Sequence, residues 1–333
     1  MTSDTPLRPP GLGATQALVP GEGTADTEPP PLITVVIPTH NRAPLLHEAI
    51  RSVLASRLIN QPSQVVVVDD NSTDDTPQVA ASYAVDYLRI NGGSPSASRN
   101  AGLARVQTPY VAFLDDDDCW LPGNMEPQLQ ALSSNPEAAF AYGRAQRTEP
   151  DLTPLGAAFP EPPFPPRNAL ALVHRIHLQL GGILFRTDAI RTAGAFDTNL
   201  RYAEDSDLLV RLAAAHPAVG VDFVGSFFRQ RPDSIPDANI HWAEYQDYRR
   251  SLKKQSALGI VLPTRARIST HRHYVGMVSY AFCNDARIQL DAGNKAAARS
   301  ALVHAFRVSP PHTLRHRQFW SGLARLLRPR HAP

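Results

Sequence analysis

Apolar residues come in short blocks along the first part of the chain, and each block closes on polar ones. Ile33-Thr34-Val35-Val36-Ile37 is β-branched throughout and predicts a strand stopped by Pro38. Behind Pro44, a good helix opener, Leu45, Leu46, Ile50, Val53 and Leu54 recur at helical spacing. Val65–Val68 is apolar at every position, the pattern of a parallel strand buried on both faces. It runs into Asp69-Asp70-Asn71-Ser72, and a second helix is predicted to start within Thr73–Thr76. Tyr87–Ile90 predicts a third strand, followed by Asn91-Gly92-Gly93 and a helix from Ser96 to Val106. Tyr110–Leu114, strand-forming and too short for a helix, predicts a fourth strand whose end carries four aspartates, Asp115–Asp118.

This alternation of strand and helix implies an α/β fold, a parallel sheet with right-handed crossovers. Polar residues gather where strands end: Thr39-His40-Asn41, Asp69-Asp70, Asn91-Gly92-Gly93 and the aspartates. Ligands of open α/β sheets bind outside the carboxyl ends of strands, so one nucleotide-sized site is expected there. Adjacent carboxylates repel by about a few kcal/mol each at a near-surface dielectric. A bound cation or a phosphate–metal complex relieves that repulsion. In an extended chain Asp115 and Asp117 share a face, roughly 6 to 7 Å apart, and could address one metal-bound diphosphate. The alternative is a solvated acidic turn capping the next helix. The run alone does not decide between them; the order of the strand ends favours the site.

Further along, the pattern predicts a helix over Asn124–Leu132, a strand over Ala138–Tyr142 and a Pro-rich loop at 150–167. Leu180–Phe185 predicts a strand and Thr187–Ala193 a short helix. Glu204-Asp205-Ser206-Asp207 opens a helix marked by Leu208, Leu209, Leu212 and Ala213, and Val219–Phe228 predicts another strand. From Ile240 the pattern is helical to the end, with Ala296–Leu302 as half of a helical hairpin. Residues 1–31, rich in Pro, Gly, Thr and Ser, cannot bury enough surface to offset their ordering entropy. The expected division is a disordered tail at 1–31, an α/β domain at 32–235 and a helical extension at 236–333.

Composition changes this picture little. With 333 residues, 43% hydrophobic and 19% charged, the chain can bury a sizeable core. A formal net charge of +2 gives no global case for nucleic acid. Cys119 and Cys283 form neither a disulfide framework nor a metal-ligand spacing, which points to a reducing compartment. With no transmembrane-length apolar run and no signal-peptide pattern, a cytoplasmic protein is expected.

Taken together, several pieces resemble the family 2 glycosyltransferases in order and spacing. They are Val36-Ile37-Pro38-Thr39-His40-Asn41-Arg42, Val67-Val68-Asp69-Asp70-Asn71-Ser72-Thr73-Asp74 and Ser98-Arg99-Asn100-Ala101-Gly102. Phe113-Leu114-Asp115-Asp116-Asp117-Asp118-Cys119-Trp120 follows, then Gly194-Ala195-Phe196-Asp197 and Glu204-Asp205-Ser206-Asp207-Leu208. The resemblance implies a GT-A fold: a Rossmann-like, mostly parallel sheet with helices on both faces, here with a C-terminal helical extension. It implies inverting transfer of a sugar from a nucleoside-diphosphate sugar, UDP-type, to a hydroxyl acceptor such as a saccharide or lipid-linked glycan.

It also implies roles. Pro38 and Thr39 would contact the base, Thr39 through backbone and hydroxyl, with Asn41 and Arg42 on the same donor-binding turn. Asp70 would accept from a base N–H. Arg99 would face diphosphate or base, with a surface ion pair as the alternative. Asp115, Asp116 and Asp117 match the metal-binding acidic triplet, with Asp117 the direct ligand of Mg²⁺ or Mn²⁺ and Asp115 nearer the ribose; Asp118 supports or caps. Asp205 matches the general base, and Glu204 shares that role or positions the acceptor. The alternative is that Glu204, Asp205 and Asp207 merely favour a helix N-terminus.

The sequence departs from the family in two places. Arg231 stands about where many relatives carry a histidine; it could clamp a phosphate, but a metal ligand there is put in doubt. Beyond residue 240 the resemblance is poor. There Arg307, Arg315, Arg317, Arg325, Arg328 and Arg330 could bring the protein peripherally to the inner face of a membrane, although a solvated helix face is the commoner reason for such residues. A competing reading, nucleotidyl transfer to a sugar phosphate, would want a Gly-rich phosphate loop with a lysine, which Thr39-His40-Asn41-Arg42 is not. A non-catalytic nucleotide-sugar binder is disfavoured by the presence of both Asp117 and Asp205.

Overall fold

The computed structural model describes residues 30–56, 63–164, 178–231, 238–261 and 264–327. Residues 1–29 of the expected tail, 165–167 of the Pro-rich loop, the 235/236 boundary, and Arg328 and Arg330 lie outside the described residues. Four parallel strands open the chain: β1 (Ile33–Thr39), β2 (Ser63–Asp70), β3 (Asp86–Ile90) and β4 (Tyr110–Phe113). Between them run α1 (Ala43–Ala55), α2 (Thr76–Ala81) and α3 (Pro95–Arg105). The sheet is completed by β5 (Cys119–Trp120), β6 (Phe140–Thr148), β7 (Ile183–Arg186) and β8 (Ala218–Arg229). Its order is β3-β2-β1-β4-β7-β6-β8-β5, with β7 and β5 running against the other strands.

Period-two alternation sorts the strand residues to two cores. Val36, Val66, Val68, Val111 and Phe113 face one side, against Leu103 of α3 and Ile190 of α5 (Thr187–Thr192). Ile33, Val35, Ile37, Val65, Val67 and Ala112 face the other, against Leu46, Ile50 and Val53 of α1. Each fully buried valine or leucine contributes about 1.5–3 kcal/mol, which is why these central strands tolerate so few polar residues. Gly102 lets α3 lie close on the sheet: a Cβ there would meet Val36 Cγ1 at 2.3 Å.

Several strand boundaries differ from expectation. β2 and β8 are slightly longer than their apolar runs. The strand expected over Ala138–Tyr142 starts at Phe140 and continues to Thr148, paired with β8 along its far half. Pro38 does not stop β1, which continues to Thr39 paired with Asp69 of β2. Leu114 N–H donates to Val36 O (3.1 Å), so Val36 faces β4, and Pro38, two residues on, faces the same side beyond the end of that ladder. Its missing N–H therefore breaks no pairing. The strand expected from Leu180 begins at Ile183, because Leu180–Gly182 is a 3-10 turn. Side chains replace a neighbouring strand there: Asn124 Nδ2 donates to Gly181 O (3.1 Å) and Gln128 Nε2 to Gly182 O (3.2 Å). Gln128 belongs to α4 (Glu126–Ser134).

The rest of the chain is helical: α6 (Glu204–Ala215), α7 (Ala238–Ala257), α8 (Thr264–Asp291), α9 (Lys295–Val308), α10 (Pro310–Thr313) and α11 (Arg317–Leu327). α8, α9 and α11 share a third core around Phe282, Ala286, Ala301, Leu302 and Phe319. Among the described residues no helix is long and apolar enough to cross a membrane.

Candidate active site

The four aspartates are not extended. Asp118 N–H donates to Asp115 O (3.1 Å), closing a turn. Alternation survives the turn, so Asp116 and Asp118 are buried while Asp115 and Asp117 stay half-buried. Asp116 accepts from Thr39 Oγ1 (2.7 Å) and Arg42 Nη1 (2.8 Å). Asp118 accepts from Arg229 N–H (2.9 Å) and Gln179 Nε2 (2.5 Å), while Arg229 Nε donates to Asp117 O (2.8 Å). The inner pair thus pins the turn to β1 and to the end of β8. Burial pushes the Asp116 carboxyl up to about 6 and holds Asp118 well above the usual carboxylate range. Thr39 is correspondingly turned inward: its hydroxyl is spent on Asp116 rather than presented to a base.

The outer pair faces arginines. Asp117 lies 3.3 Å from Arg42 Nη1 and 3.5 Å from Arg231 Nε, and its carboxyl is raised by burial and by Asp115. Asp115 accepts from Arg99 Nη2 (2.6 Å), and Arg99 Nη1 donates to Glu204 (2.6 Å). Arg99 sits in the second turn of α3 and is buried, so the alternative of a surface ion pair does not hold. It bridges the turn after β4 to the first residue of α6. Its two carboxylate partners hold it well above the usual guanidinium range, and its Nε has no partner among the described residues. Burial, with the charge of Asp205 next to it, pushes Glu204 up to about 7 despite Arg99.

Glu204 and Asp205 start α6 behind Ala203, a non-glycine in the left-handed region (φ 59°). Such a backbone costs about 1–3 kcal/mol and persists only where its surroundings enforce it. α7 supplies that enforcement. Asp247 accepts the N–H groups of Arg201 (2.9 Å) and Tyr202 (3.1 Å), and Lys254 reaches Asp197 (2.6 Å) and Asp207 (3.0 Å). Asp207 also accepts from Arg211 Nε (2.8 Å), so it is a buried structural acid. Asp205 is half-buried, and its Oδ1 accepts from Ser206 N–H (2.6 Å).

A cavity of about 520 Å³ opens among these groups, lined by Arg99, Asp115, Glu204 and Asp205. Its other walls are Gln179, Phe228, Glu244 of α7, and Val278 and Ala281 of α8. No sequence motif marked Gln179, Asp247, Lys254 or this helical wall; their partners lie far away in sequence. The remaining expected residues gather along the neighbouring strand ends. Asp70 Oδ1 accepts from Gly92 N–H (2.7 Å) and Gly93 N–H (3.1 Å), tying β2 to the loop after β3. Asn41 (φ 52°) accepts from Thr73 N–H (2.7 Å), which shapes the turn behind Pro38.

Asp115 and Asp117 offer the hard carboxylate oxygens that Mg²⁺ and Mn²⁺ take. Among the described residues no group of three His, Cys, Asp or Glu is arranged to hold a metal by itself.

Residues 34–192 match the profile of the family described as Glycosyl transferase family 2. An uncharacterized glycosyltransferase of Rickettsia prowazekii (strain Madrid E) is 27% identical over 184 residues, 54% of this chain and 57% of that protein. The putative teichuronic acid biosynthesis glycosyltransferase TuaG of Bacillus subtilis (strain 168) is 34% identical over 133 residues, 38% of this chain and 51% of its own. The chain thus spans about half the length of these curated relatives. Among solved structures, S. aureus TarS 1-349 in complex with UDP-GlcNAc superposes with a TM-score of 0.54 at 16% identity, covering 86% of this chain and 91% of that one. The Pyrobaculum calidifontis mannosyltransferase PcManGT in complex with GDP-Man and Mn²⁺ gives 0.54 at 18% identity, over 90% and 87%. Residues 34–192 are therefore a domain of glycosyl transferase family 2, carried on a sheet of the GT-A type.

Proposed function

We propose that this chain moves a sugar from a nucleoside-diphosphate sugar, UDP-type, to a hydroxyl acceptor with inversion at the anomeric carbon. One observation carries the reading: Arg99 ties the acidic turn to the start of α6, so Asp115, Glu204 and Asp205 line one cavity. The complexes of structural neighbours with UDP-GlcNAc and GDP-Man support a nucleotide-sugar donor.

The base lies along Pro38, the Thr39 backbone, Asn41 and Asp70, at the ends of β1 and β2. Arg42 and Arg231 flank the diphosphate, and Asp115 faces the ribose. A divalent cation held by Asp117 would supply Lewis-acid neutralisation of the departing diphosphate. Asp205 takes the proton of the acceptor hydroxyl as its oxygen attacks the anomeric carbon from the face opposite the diphosphate. The new C–O bond forms as the bond to the diphosphate breaks, and the diphosphate leaves with that electron pair. Glu204 is committed to Arg99, which makes it a positioning residue for the bridge. Asp116 and Asp118 hold the turn. The thiols of Cys119 and Cys283, both unpaired, agree with a reducing, cytoplasmic setting.

The test is a panel of UDP- and GDP-sugars, read by thermal stabilisation and by release of nucleoside diphosphate. A true donor at a hundredfold its dissociation constant stabilises by about 2.7 kcal/mol. If no nucleotide sugar stabilises the protein or releases nucleotide, the reading fails.

A further inference from the structure

Residues 292–327 contain six Lys and Arg and no Asp or Glu, although the whole chain carries a formal charge of only +2. The remainder is therefore net negative, and the positive charge is concentrated on α9 to α11. On α9, Lys295, Arg299, Val303 and Phe306 follow one another at three- and four-residue steps and form one exposed stripe. Phe306 stacks on Phe319 of α11 (centroids 6.4 Å apart), and Phe319 packs edge-on against Trp320 (5.4 Å). The stripe therefore continues onto α11 and the turn before it.

This face is apolar as well as basic. Val303, Phe306, Leu314 and Trp320 are 43%, 44%, 42% and 53% exposed. Trp320 Nε1 donates to Leu314 O (2.9 Å), so the indole spends its polar atom on the protein and offers its ring to whatever lies outside. Arg315 and Arg317 stand between Leu314 and Trp320 in sequence and are exposed. Among the described residues no ion pair engages Arg299, Arg307, Arg315 or Arg317, whereas Arg325 at the edge reaches Asp291 (2.9 Å).

We propose that this face docks on an anionic lipid membrane, with the arginines against headgroup phosphates and Phe306, Leu314 and Trp320 in the headgroup–acyl boundary. Basic residues interleaved with exposed aromatic and aliphatic ones suit that boundary, where each basic residue near the surface adds to binding. A soluble polyanion would want the charge but has no use for the apolar side chains. A second copy, joined by a two-fold axis, would set this positive face against itself. The face is also close to the cavity. Val278 and Ala281 of α8 line the cavity, while Tyr280 of the same helix packs at a tilt against His316, just before α11 (ring centroids 5.4 Å apart). Docking would hold the cavity about one helix diameter, roughly 10 Å, from the lipid surface. The proposal uses none of the residues assigned to transfer and stands apart from that reading.

The test is co-sedimentation of the full chain with vesicles of phosphatidylcholine alone and with vesicles that also contain phosphatidylglycerol. Binding should be at least about tenfold stronger on the anionic vesicles and should fall as salt is added. Trp320→Ser, and separately Arg315→Gln with Arg317→Gln, should each weaken it about tenfold or more while the melting temperature stays unchanged. The arginine pair, being exposed, guards against a folding defect in the tryptophan variant. Equal binding to neutral vesicles would overturn the proposal. So would undiminished binding by Trp320→Ser with inorganic polyphosphate competing freely, which indicates a polyanion site. A dimer in sedimentation velocity that these variants dissociate would instead assign the face to self-association.

Discussion

Arg99→Met removes the guanidinium while keeping most of the side chain's length. Glu204, 8% exposed, then loses its cation. Stranding a buried charge costs about 3–5 kcal/mol, but Glu204 can escape by taking a proton. The loss is therefore capped near that of a charge-assisted hydrogen bond, about 1.5–3 kcal/mol, as long as the proton is available. Asp115 is about a third exposed, keeps its contact with water and adds little.

The pH dependence follows from the raised Glu204. Its ordinary value is 4.5, and in the folded chain it is pushed up to about 7. Between those values the folded chain keeps a proton that the unfolded chain has released, so stability falls as pH rises through that window. In the parent protein the fall ends near pH 7, once Glu204 is ionised in both states. Without Arg99 the folded-state value climbs further and the fall continues, at about 1.4 kcal/mol per pH unit. The penalty should thus be about 1.5–3 kcal/mol at pH 6 and larger by about 1.4 kcal/mol at pH 8. Urea unfolding at the two pH values measures it. Arg99→Met combined with Glu204→Gln should show no such growth. A penalty that is the same at pH 6 and pH 8 would refute the buried bridge.

Asp205→Asn should lower transfer by about 10² to 10⁴ and leave donor affinity intact, measured by initial rates and calorimetry once an acceptor is known; near-normal transfer would move the base elsewhere. Asp117→Ala, or a chelator added to the parent protein, should weaken nucleoside-diphosphate binding sharply, and unchanged affinity in calorimetry would remove the metal. Gly102→Ala drives a Cβ to within 2.3 Å of Val36 Cγ1 and should cost about 1–3 kcal/mol with a lower melting temperature. Because α3 carries Arg99, that variant should also show a smaller Arg99→Met penalty if the helix is pushed off the sheet.

Much of the sheet is written locally. Val65–Val68 and Ile33–Ile37 could be read as strands because short apolar, β-branched runs have few other uses. Of the polar strand ends that predicted a site, that of β4 supplies Asp115 to the cavity. What the local pattern omits is direction and register at distance. The antiparallel β7, inserted between β4 and β6, depends on pairings with Tyr110–Ala112 and Phe140–Tyr142 that no short window contains. At the acidic run, alternation already paired Asp115 with Asp117 on one face, but it did not show the partners that hold the other two. The turn, with Thr39, Arg42, Gln179 and Arg229 converging from other elements, commits Asp116 and Asp118 to holding the backbone, and leaves Asp115 on the cavity and Asp117 beside Arg42 and Arg231.

Arg99 marks the same limit. Its position on α3 was legible, but its bridge spans 105 residues to Glu204, and burial with two carboxylates is a property of the packed structure alone. The last part of the chain carries its message in charge, which the sequence states outright: six basic residues and no acid over 292–327. Whether those side chains form one surface or scatter around several helices is decided by packing. Phe319 and Leu302 turn into the third core and leave Phe306, Leu314 and Trp320 on a common outer face. Side-chain period and composition are local quantities, whereas which groups share a cavity or a surface depends on contacts between elements far apart in the chain.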